Sequence, residues 1–208
     1  DADIEARVSK IVSQMSLDDK VGQMCQVTIE YMLADKGGDG KVVFDSEKVK
    51  ETFEKYRVGS VLNTPYGEAH DREAWYRVIG VVQDASMKYI GIPDIYGVDQ
   101  NHGTTYTTGG TLFPQEINMA ASFNRDLVRE GAAIWAYESR ACSMPWVCNP
   151  VMDLGRNPAW SRIWESFGED PYINGAMAVE MVKGYQGDDP NHVGTNRVAA
   201  CLKHYMAY

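Results

Sequence analysis

Three clusters of polar side chains follow apolar segments of the sequence and could bind a ligand that carries hydroxyl groups. Asp99 and His102 belong to the first cluster, residues 97–103, and Lys203 and His204 form the last one. A carboxylate accepts hydrogen bonds from hydroxyl groups, and an ammonium donates to hydroxyl oxygens. Lys203 and His204 end an apolar run, where burying both without partners would be costly. Taken alone, Asp99 is also typical of a turn, and His102 of a hydrogen bond within a loop.

The second cluster is a segment without helical or strand periodicity, residues 149–170. A loop of about 20 residues is unusual in a compact domain and is commonly functional. Its aromatic residues are interleaved with charged ones, namely Asp153, Arg156, Arg162, Glu165, Glu169 and Asp170. An ion pair between Arg156 and Asp153 that stiffens the loop is an equal alternative. Glu169 and Asp170 also fit the start of a helix, where carboxylates are favoured.

The segments around these clusters alternate between amphipathic helices and short apolar strands. The pattern predicts strands at residues 24–28, 58–62, 94–98, 144–148 and 197–203. Apolar residues at helical spacing predict helices near residues 4–15, 49–56, 75–90, 125–140 and 171–186. Ser16, Asn124 and Asp170 are predicted N-caps, the first of a short additional helix. A glycine-rich loop is predicted at residues 35–40.

Apolar strands separated by helices predict a parallel sheet that is buried on both faces. From the second strand onward the strands recur roughly every 35 to 55 residues, more than the ~30 residues of a minimal βαβ unit. The extra residues follow the strands, where a TIM barrel keeps its active site. We therefore predict an α/β fold, a partial TIM-type (β/α) barrel with about five parallel strands of an expected eight. A doubly wound sheet is the competing architecture, but its glycine fingerprint is missing.

The charge of the chain excludes some classes of partner. The formal net charge is -9, the sequence pI is about 4.9, and no basic stripe suits a nucleic acid. An acidic surface does not penalise a neutral ligand such as a sugar. No apolar run approaches the roughly 20 residues that span a bilayer, so we expect no membrane insertion. The start at Asp1 predicts a processed or trimmed N-terminus, and the compartment stays open, periplasmic and secreted locations included.

Motifs for cofactors and metals are also missing. The sequence has no glycine-rich phosphate-binding motif. Its four cysteines lack C-x-x-C spacing and a histidine at zinc-finger spacing, and we interpret them as buried free thiols. The sequence therefore predicts no cofactor and no metal site.

Several segments together resemble the N-terminal domain of family 3 glycoside hydrolases, and the likeness runs nearly from end to end. The matching segments are residues 15–24 (MSLDDKVGQM), 96–99 (YGVD), 102–103 (HG), 111–115 (TLFPQ), 118–124 (NMAASFN), 155–158 (GRNP), Arg162, 165–171 (ESFGEDP) and 203–204 (KH). Their order and number make the resemblance highly specific.

The resemblance implies roles for residues of this chain. The residues that it places on the hydroxyl groups of a terminal glucose, in the subsite next to the scissile bond, are Asp99, Arg162, Lys203 and His204. Behind them we place Glu165, which would orient Arg162, together with Arg156 and Asp153. A site that pairs particular hydroxyl groups rejects epimers, because its own polar groups would stay unpaired. The partner implied is a small carbohydrate, such as a β-glucoside or a glucan-derived oligosaccharide.

The residues that follow His204 indicate a branch of the family. Residues 205–208 (YMAY) resemble the β-glucosidase branch, whereas a β-N-acetylhexosaminidase branch has Pro-Gly-His-Gly after Lys-His-Phe and takes a catalytic histidine from it. The β-glucosidase branch implies a retaining mechanism with two carboxylates about 5 Å apart.

The nucleophile that the resemblance implies is missing from this chain. It is an aspartate in a Ser-Asp motif well beyond Lys-His, and the sequence contains no Ser-Asp dipeptide. We therefore assign no catalytic residue to this chain. Residues 1–208 are predicted to be the N-terminal portion of one (β/α)8-like catalytic barrel domain, with the remaining strands and a second domain elsewhere. The predicted activity is hydrolysis of terminal non-reducing β-D-glucosyl residues, and a non-catalytic carbohydrate-binding barrel is the alternative.

Overall fold

A computed structural model of the chain describes residues 2–37 and 41–205. The strands are β1 (Gln26–Thr28), β2 (Ser60–Leu62), β3 (Ile95–Val98), β4 (Trp146–Val147) and β5 (Ala199–Ala200). The α-helices are α1 (Ala2–Gln14), α2 (Leu17–Gln23), α3 (Ser46–Lys50), α4 (Arg72–Tyr89), α5 (Glu116–Ala121), α6 (Arg125–Ala141) and α7 (Pro171–Gln186). A π-helical turn (Glu51–Lys55) and 3₁₀ turns (Ile29–Met32, Pro65–Gly67, Ile163–Glu165) complete the elements.

The strands pair in parallel and alternate with helices along the chain. β1 pairs with β2, and β4 lies between β3 and β5, with Val147 opposite both Val98 and Ala200. The prediction of an α/β fold with about five parallel strands is therefore confirmed. Each strand is shorter than predicted, because the apolar runs continue beyond the residues that pair in the sheet. The predicted loop at residues 35–40 lies partly outside the described residues.

The first compact unit comprises residues 2–37, 41–66 and 80–95. Its helix α2 begins at the predicted cap, since the Ser16 hydroxyl accepts from the Asp19 amide (3.1 Å) and the Asp19 carboxylate accepts from the Ser16 amide (3.0 Å). The Arg57 guanidinium then joins α2 to the end of α4, because it donates to Asp19 (2.6 Å) and to the Tyr89 carbonyl oxygen (2.6 Å). The prediction of buried free thiols is wrong in part: all four cysteines are free, but Cys25 is exposed, Cys148 and Cys201 are half-buried, and Cys142 is buried.

The second compact unit comprises residues 67–79 and 96–205. Helices α6 and α7 pack against β4 and β5 around a buried core that includes Trp135, Val147, Tyr185 and Val198. The rings of Trp135 and Tyr185 meet edge to face with centroids 5.2 Å apart. The helices cross closely at Gly184, where a Cβ atom would lie 2.5 Å from the Arg129 carbonyl oxygen. This core fixes the strands whose ends carry the candidate site.

The carboxyl group of Asp94, in the first unit, is buried just before β3. Asp94 is only 4% exposed, and its backbone N–H and C=O groups are paired with the Gln83 side chain at 3.1 and 2.7 Å. Burial raises the pKa of the Asp94 carboxyl to about 7, and neither of its oxygen atoms has a hydrogen-bond partner among the residues that the structure describes. The neutral acid is thus the form that the fold favours.

We predict that the stability of the first unit depends on pH through Asp94. A raised pKa contributes stability below the ordinary value of 3.8 and loses it as pH rises through about 7. Asp94→Asn should therefore raise the free energy of unfolding at pH 8, by at most about 4 kcal/mol, and change it little at pH 4. Urea denaturation at both pH values measures this, with the exposed Asp84→Asn as control. An equal effect of Asp94→Asn at both values would contradict it.

Candidate functional site

Five polar side chains of the second unit form one hydrogen-bonded network at the carboxyl ends of β3, β4 and β5. The Lys203 ammonium donates to the carboxylate of Asp99, which directly follows β3, and to Asn101 Oδ1 at 3.1 Å. The Asn101 amide in turn donates to Glu165 Oε2 at 3.1 Å. Glu165 accepts two hydrogen bonds from Arg162, at 2.6 Å from Nε and 2.5 Å from Nη2. The sequence predicted all of these residues as site residues except Asn101.

Lys203 is positioned by backbone pairing that continues beyond β4 and β5. Its N–H donates to the Pro150 carbonyl oxygen (3.1 Å), and its own carbonyl oxygen accepts from Met152 (2.6 Å). Val151, between them, forms a parallel bridge with Lys203. The Lys203 side chain is 10% exposed and that of Asp99 is 44% exposed. The ammonium is thus mostly enclosed, while the carboxylate stays open to solvent.

His204 is oriented by Asp153, which is almost fully buried. Asp153 Oδ2 accepts from the backbone N–H of His204 at 3.2 Å and lies 2.7 Å from its ring Nδ1. A carboxylate at this distance places the ring proton on Nδ1 and thereby fixes the tautomer and the ring orientation. The Asp153 carboxylate therefore orients His204 and does not serve only to stiffen the loop.

The remaining polar residues of the predicted clusters have other placements. Arg156 is exposed, and among the residues that the structure describes it forms no ion pair with Asp153. The Nδ1 atom of His102 lies 3.1 Å from the Phe113 carbonyl oxygen. This contact agrees with the interpretation of His102 as a residue that forms a hydrogen bond within a loop. Asp170 caps α7 by accepting from the amides of its first turn, at 2.8 and 3.0 Å. Residues 206–208, part of the segment that indicates the branch, lie outside the described residues.

A buried glutamine anchors the segment that carries Asp99. Gln100 is fully buried, and its Oε1 atom accepts from Trp135 Nε1 (2.7 Å) and from the Ser139 hydroxyl (3.0 Å), both on α6. Gln100 contacts α6, while its neighbours Asp99 and Asn101 both reach Lys203. Asn101 belongs to the same polar cluster as Asp99, and this position could have indicated it from the sequence.

Two further polar side chains near Lys203 were missed by the sequence interpretation. Glu116, at the start of α5, is fully buried, and its Oε1 atom accepts from the Val151 amide at 3.2 Å. Asn149 is also fully buried, and its amide donates to the Tyr185 hydroxyl oxygen at 2.9 Å. Nothing local in the sequence separates Glu116 from an ordinary surface glutamate in a first helical turn.

Within residues 2–37 and 41–205, no group of three or more His, Cys, Asp or Glu side chains is arranged to hold a metal ion. No helix in that part of the chain has the length and apolar character needed to cross a membrane.

Comparison with known proteins gives one family. The model of the glycosyl hydrolase family 3 N-terminal domain matches residues 16–208. A lysosomal beta glucosidase of Dictyostelium discoideum is 33% identical over 213 residues, which cover 97% of this chain and 26% of that protein. Beta-D-xylosidase 3 of Arabidopsis thaliana is 37% identical over 140 residues, covering 57% of this chain and 18% of that protein. The chain spans about a quarter of the length of the Dictyostelium protein.

The fold is likewise similar to that of a solved enzyme. The crystal structure of a Q683A mutant of the exo-1,3/1,4-beta-glucanase ExoP from a Pseudoalteromonas species superposes with a TM-score of 0.84 at 30% identity. The superposition covers 99% of this chain and 32% of that chain. This likeness confirms the predicted fold class, a partial (β/α) barrel.

We predict that Glu165 contributes more to stability than an exposed ion-pair partner does. Its side chain is 5% exposed and that of Arg162 is 29% exposed, so Glu165→Ala removes two charge-assisted hydrogen bonds from a mostly buried cation. The free energy of unfolding should fall by about 2 kcal/mol, less than for a fully buried pair. Glu73→Ala, in a pair whose partners are 61% and 67% exposed, should change it by less than about 1 kcal/mol. Urea denaturation that gives equal losses would contradict the prediction.

Proposed function

The chain belongs to glycosyl hydrolase family 3, and on this premise we propose that it supplies the sugar-binding part of an exo-acting β-glucosidase. The reaction would be hydrolysis of terminal non-reducing β-D-glucosyl residues from glucosides or oligosaccharides. The ligand is a small carbohydrate, and no nucleic acid or cofactor enters the proposal.

The observation that carries this proposal is the network from Asp99 through Lys203 and Asn101 to Glu165 and Arg162. It sets a half-exposed carboxylate beside an enclosed ammonium and, farther along, a guanidinium. Such alternation of acceptor and donors suits neighbouring hydroxyl groups of one sugar ring, each of which accepts and donates. A sugar epimer, with one hydroxyl group in the opposite configuration, would leave a buried polar group of the site unpaired. This cost would make the site selective.

The roles follow from the contacts. Asp99, Arg162, Lys203 and His204 would bind the sugar, while Glu165 would hold Arg162 and Asp153 would hold His204. The role of Arg156 behind the site stays a prediction, because its side chain is exposed on the loop.

The cleavage step would need two carboxylates that we place outside residues 1–208. In a retaining glycosidase one carboxylate attacks the anomeric carbon, and the other protonates the leaving oxygen and later activates water. The carboxylates of Asp99, Asp153 and Glu165 already accept hydrogen bonds from Lys203, His204 and Arg162, respectively. We therefore propose that residues 1–208 are the N-terminal portion of a (β/α)8-like catalytic barrel domain, completed by further strands and a second domain that carry the nucleophile and the acid/base.

A non-catalytic carbohydrate-binding barrel is the second candidate. The same pairing of carboxylates favours it, because a paired carboxylate binds hydroxyl groups but is a poor nucleophile. A β-N-acetylhexosaminidase is disfavoured by Tyr205, which follows Lys203 and His204 where that branch has phenylalanine before Pro-Gly-His-Gly.

We predict that the full-length protein releases p-nitrophenol from its β-glucoside, and that Asp99→Ala lowers kcat/KM at least tenfold. The reason is the loss of an acceptor for sugar hydroxyl groups and of the partner of Lys203. A tenfold loss corresponds to about 1.4 kcal/mol of transition-state stabilisation. The assay is a steady-state measurement with the β-glucoside, the β-xyloside and the N-acetyl-β-glucosaminide side by side.

Asp126→Ala is the matched control, since it removes an exposed aspartate in the first turn of α6. Unchanged kinetics in Asp99→Ala would remove Asp99 from the proposed site. Sugar binding without hydrolysis of any of the three glycosides would favour the binding barrel instead, and preference for the β-xyloside would correct the substrate.

A further inference from the structure

The carboxyl group of Glu116 is enclosed among groups that cannot satisfy it as a carboxylate. Glu116 is 0% exposed, and its Oε1 atom accepts from the Val151 amide at 3.2 Å. Its Oε2 atom and the Oδ1 atom of Asn149 are buried acceptors without a hydrogen bond among the residues that the structure describes. The Asn149 side chain also interacts with this carboxyl. Two neighbouring acceptors that both lack a donor indicate that one of them carries a proton.

The electrostatic surroundings agree that this proton lies on Glu116. Burial raises the pKa of the Glu116 carboxyl well above its ordinary value of 4.5, while the Val151 amide and the neighbouring Asn149 side chain lower it. Of the charged groups that face it, Lys203 lowers the pKa and Glu165 raises it. Tyr185 is the other titratable group in the cluster, and burial keeps its hydroxyl protonated by raising its pKa. A neutral carboxyl can donate from Oε2 while Oε1 still accepts.

The contacts of Glu116 lead directly to Lys203. Val151, which Glu116 binds through its amide, forms a parallel bridge with Lys203. The residues on either side of Val151 bond the Lys203 backbone, through the Pro150 carbonyl oxygen at 3.1 Å and the Met152 amide at 2.6 Å. Asn149 is tied on its other side to the Tyr185 hydroxyl oxygen of α7 at 2.9 Å. Residues 149–152 are therefore held between Glu116 and α7, and Lys203 is held by them.

We propose that Glu116 is a positioning residue for Lys203. As a neutral carboxylic acid it accepts from the Val151 amide and donates to Asn149, and so fixes residues 149–152 and, through them, the Lys203 ammonium against Asp99. This inference depends on the proposed function in one respect, that Lys203 binds the sugar. Glu116, on α5, does not contact the sugar. It acts on Lys203 only through the backbone of residues 149–152, which follow β4.

Two variants of Glu116 in the full-length protein test the proposal. Glu116→Gln keeps an acceptor, gains a donor and carries no charge, so it should leave kcat/KM for the β-glucoside within about twofold. Glu116→Leu has a similar size but no polar atoms, so kcat/KM should fall at least tenfold, and hydrogen exchange at the backbone amides of Val151 and Lys203 should speed up at least tenfold. Ser86→Ala is the control, since it removes a hydrogen bond of a buried side chain, to the Ile92 carbonyl oxygen at 2.6 Å, in the first unit.

The dependence of stability on pH tests the neutral carboxyl separately from the positioning role. A raised pKa gives stability below 4.5 that is lost as pH rises. The thermal midpoint of Glu116→Gln should therefore rise relative to wild type from pH 4.5 upward and match it below that value. This comparison needs neither activity nor the Leu variant, so it still tests the neutral carboxyl if Glu116→Leu does not fold.

The possible results test three claims separately: the neutral carboxyl of Glu116, its positioning role and the proposed function. A Gln variant as impaired as the Leu variant, or a midpoint difference that does not change with pH, overturns the neutral carboxyl. Normal amide exchange in Glu116→Leu overturns the positioning role. Absence of glycosidase activity in the wild type counts against the proposed function alone, because hydrogen exchange and the thermal midpoints still test Glu116.

Discussion

The ion pair between Lys203 and Asp99 is the interaction on which the rest of the candidate site depends. Its partners lie 104 residues apart in the sequence, one after β3 and the other beyond β5. They meet only if three parallel strands are in register and their ends lie at one edge. The ammonium is mostly enclosed, which would be costly without its bonds to Asp99 and Asn101. The site and the sheet therefore stabilise each other.

The surrounding protein fixes Asp99 and Lys203 on the side that faces away from the proposed ligand. Gln100 fixes the Asp99 segment to α6, and backbone pairing with residues 150–152 fixes Lys203. Asp153 and Glu165 do the same for His204 and Arg162, and both carboxylates are nearly buried. Side chains held in this way lose little further conformational freedom when a ligand binds, which favours affinity and selectivity. This arrangement supports our proposal of a preorganised sugar-binding surface.

Local signals in the sequence were enough to predict the elements, and the motifs named most of the residues that the structure brings together in the candidate site. Asn124 and Asp170 cap their helices as predicted, because capping depends only on the next three residues. Lys203 and Asp99 could be predicted through the family motif but not their contact, which needs the strand register. The sequence did not indicate the partner of Asp153 for the same reason, since His204 lies 51 residues away. Glu116 was missed because its burial arises from contact with residues about 35 positions later.

The central claim is that Asp99, Arg162, Lys203 and His204 bind one sugar ring at the carboxyl ends of the strands. A crystal structure of the full-length protein with bound glucose tests it most directly. The account predicts hydroxyl oxygens within about 3.2 Å of polar atoms of all four side chains, with the Lys203 and Asp99 contact kept. Glucose bound at another face of the chain, or at this edge without contact to Lys203 and Asp99, would contradict it.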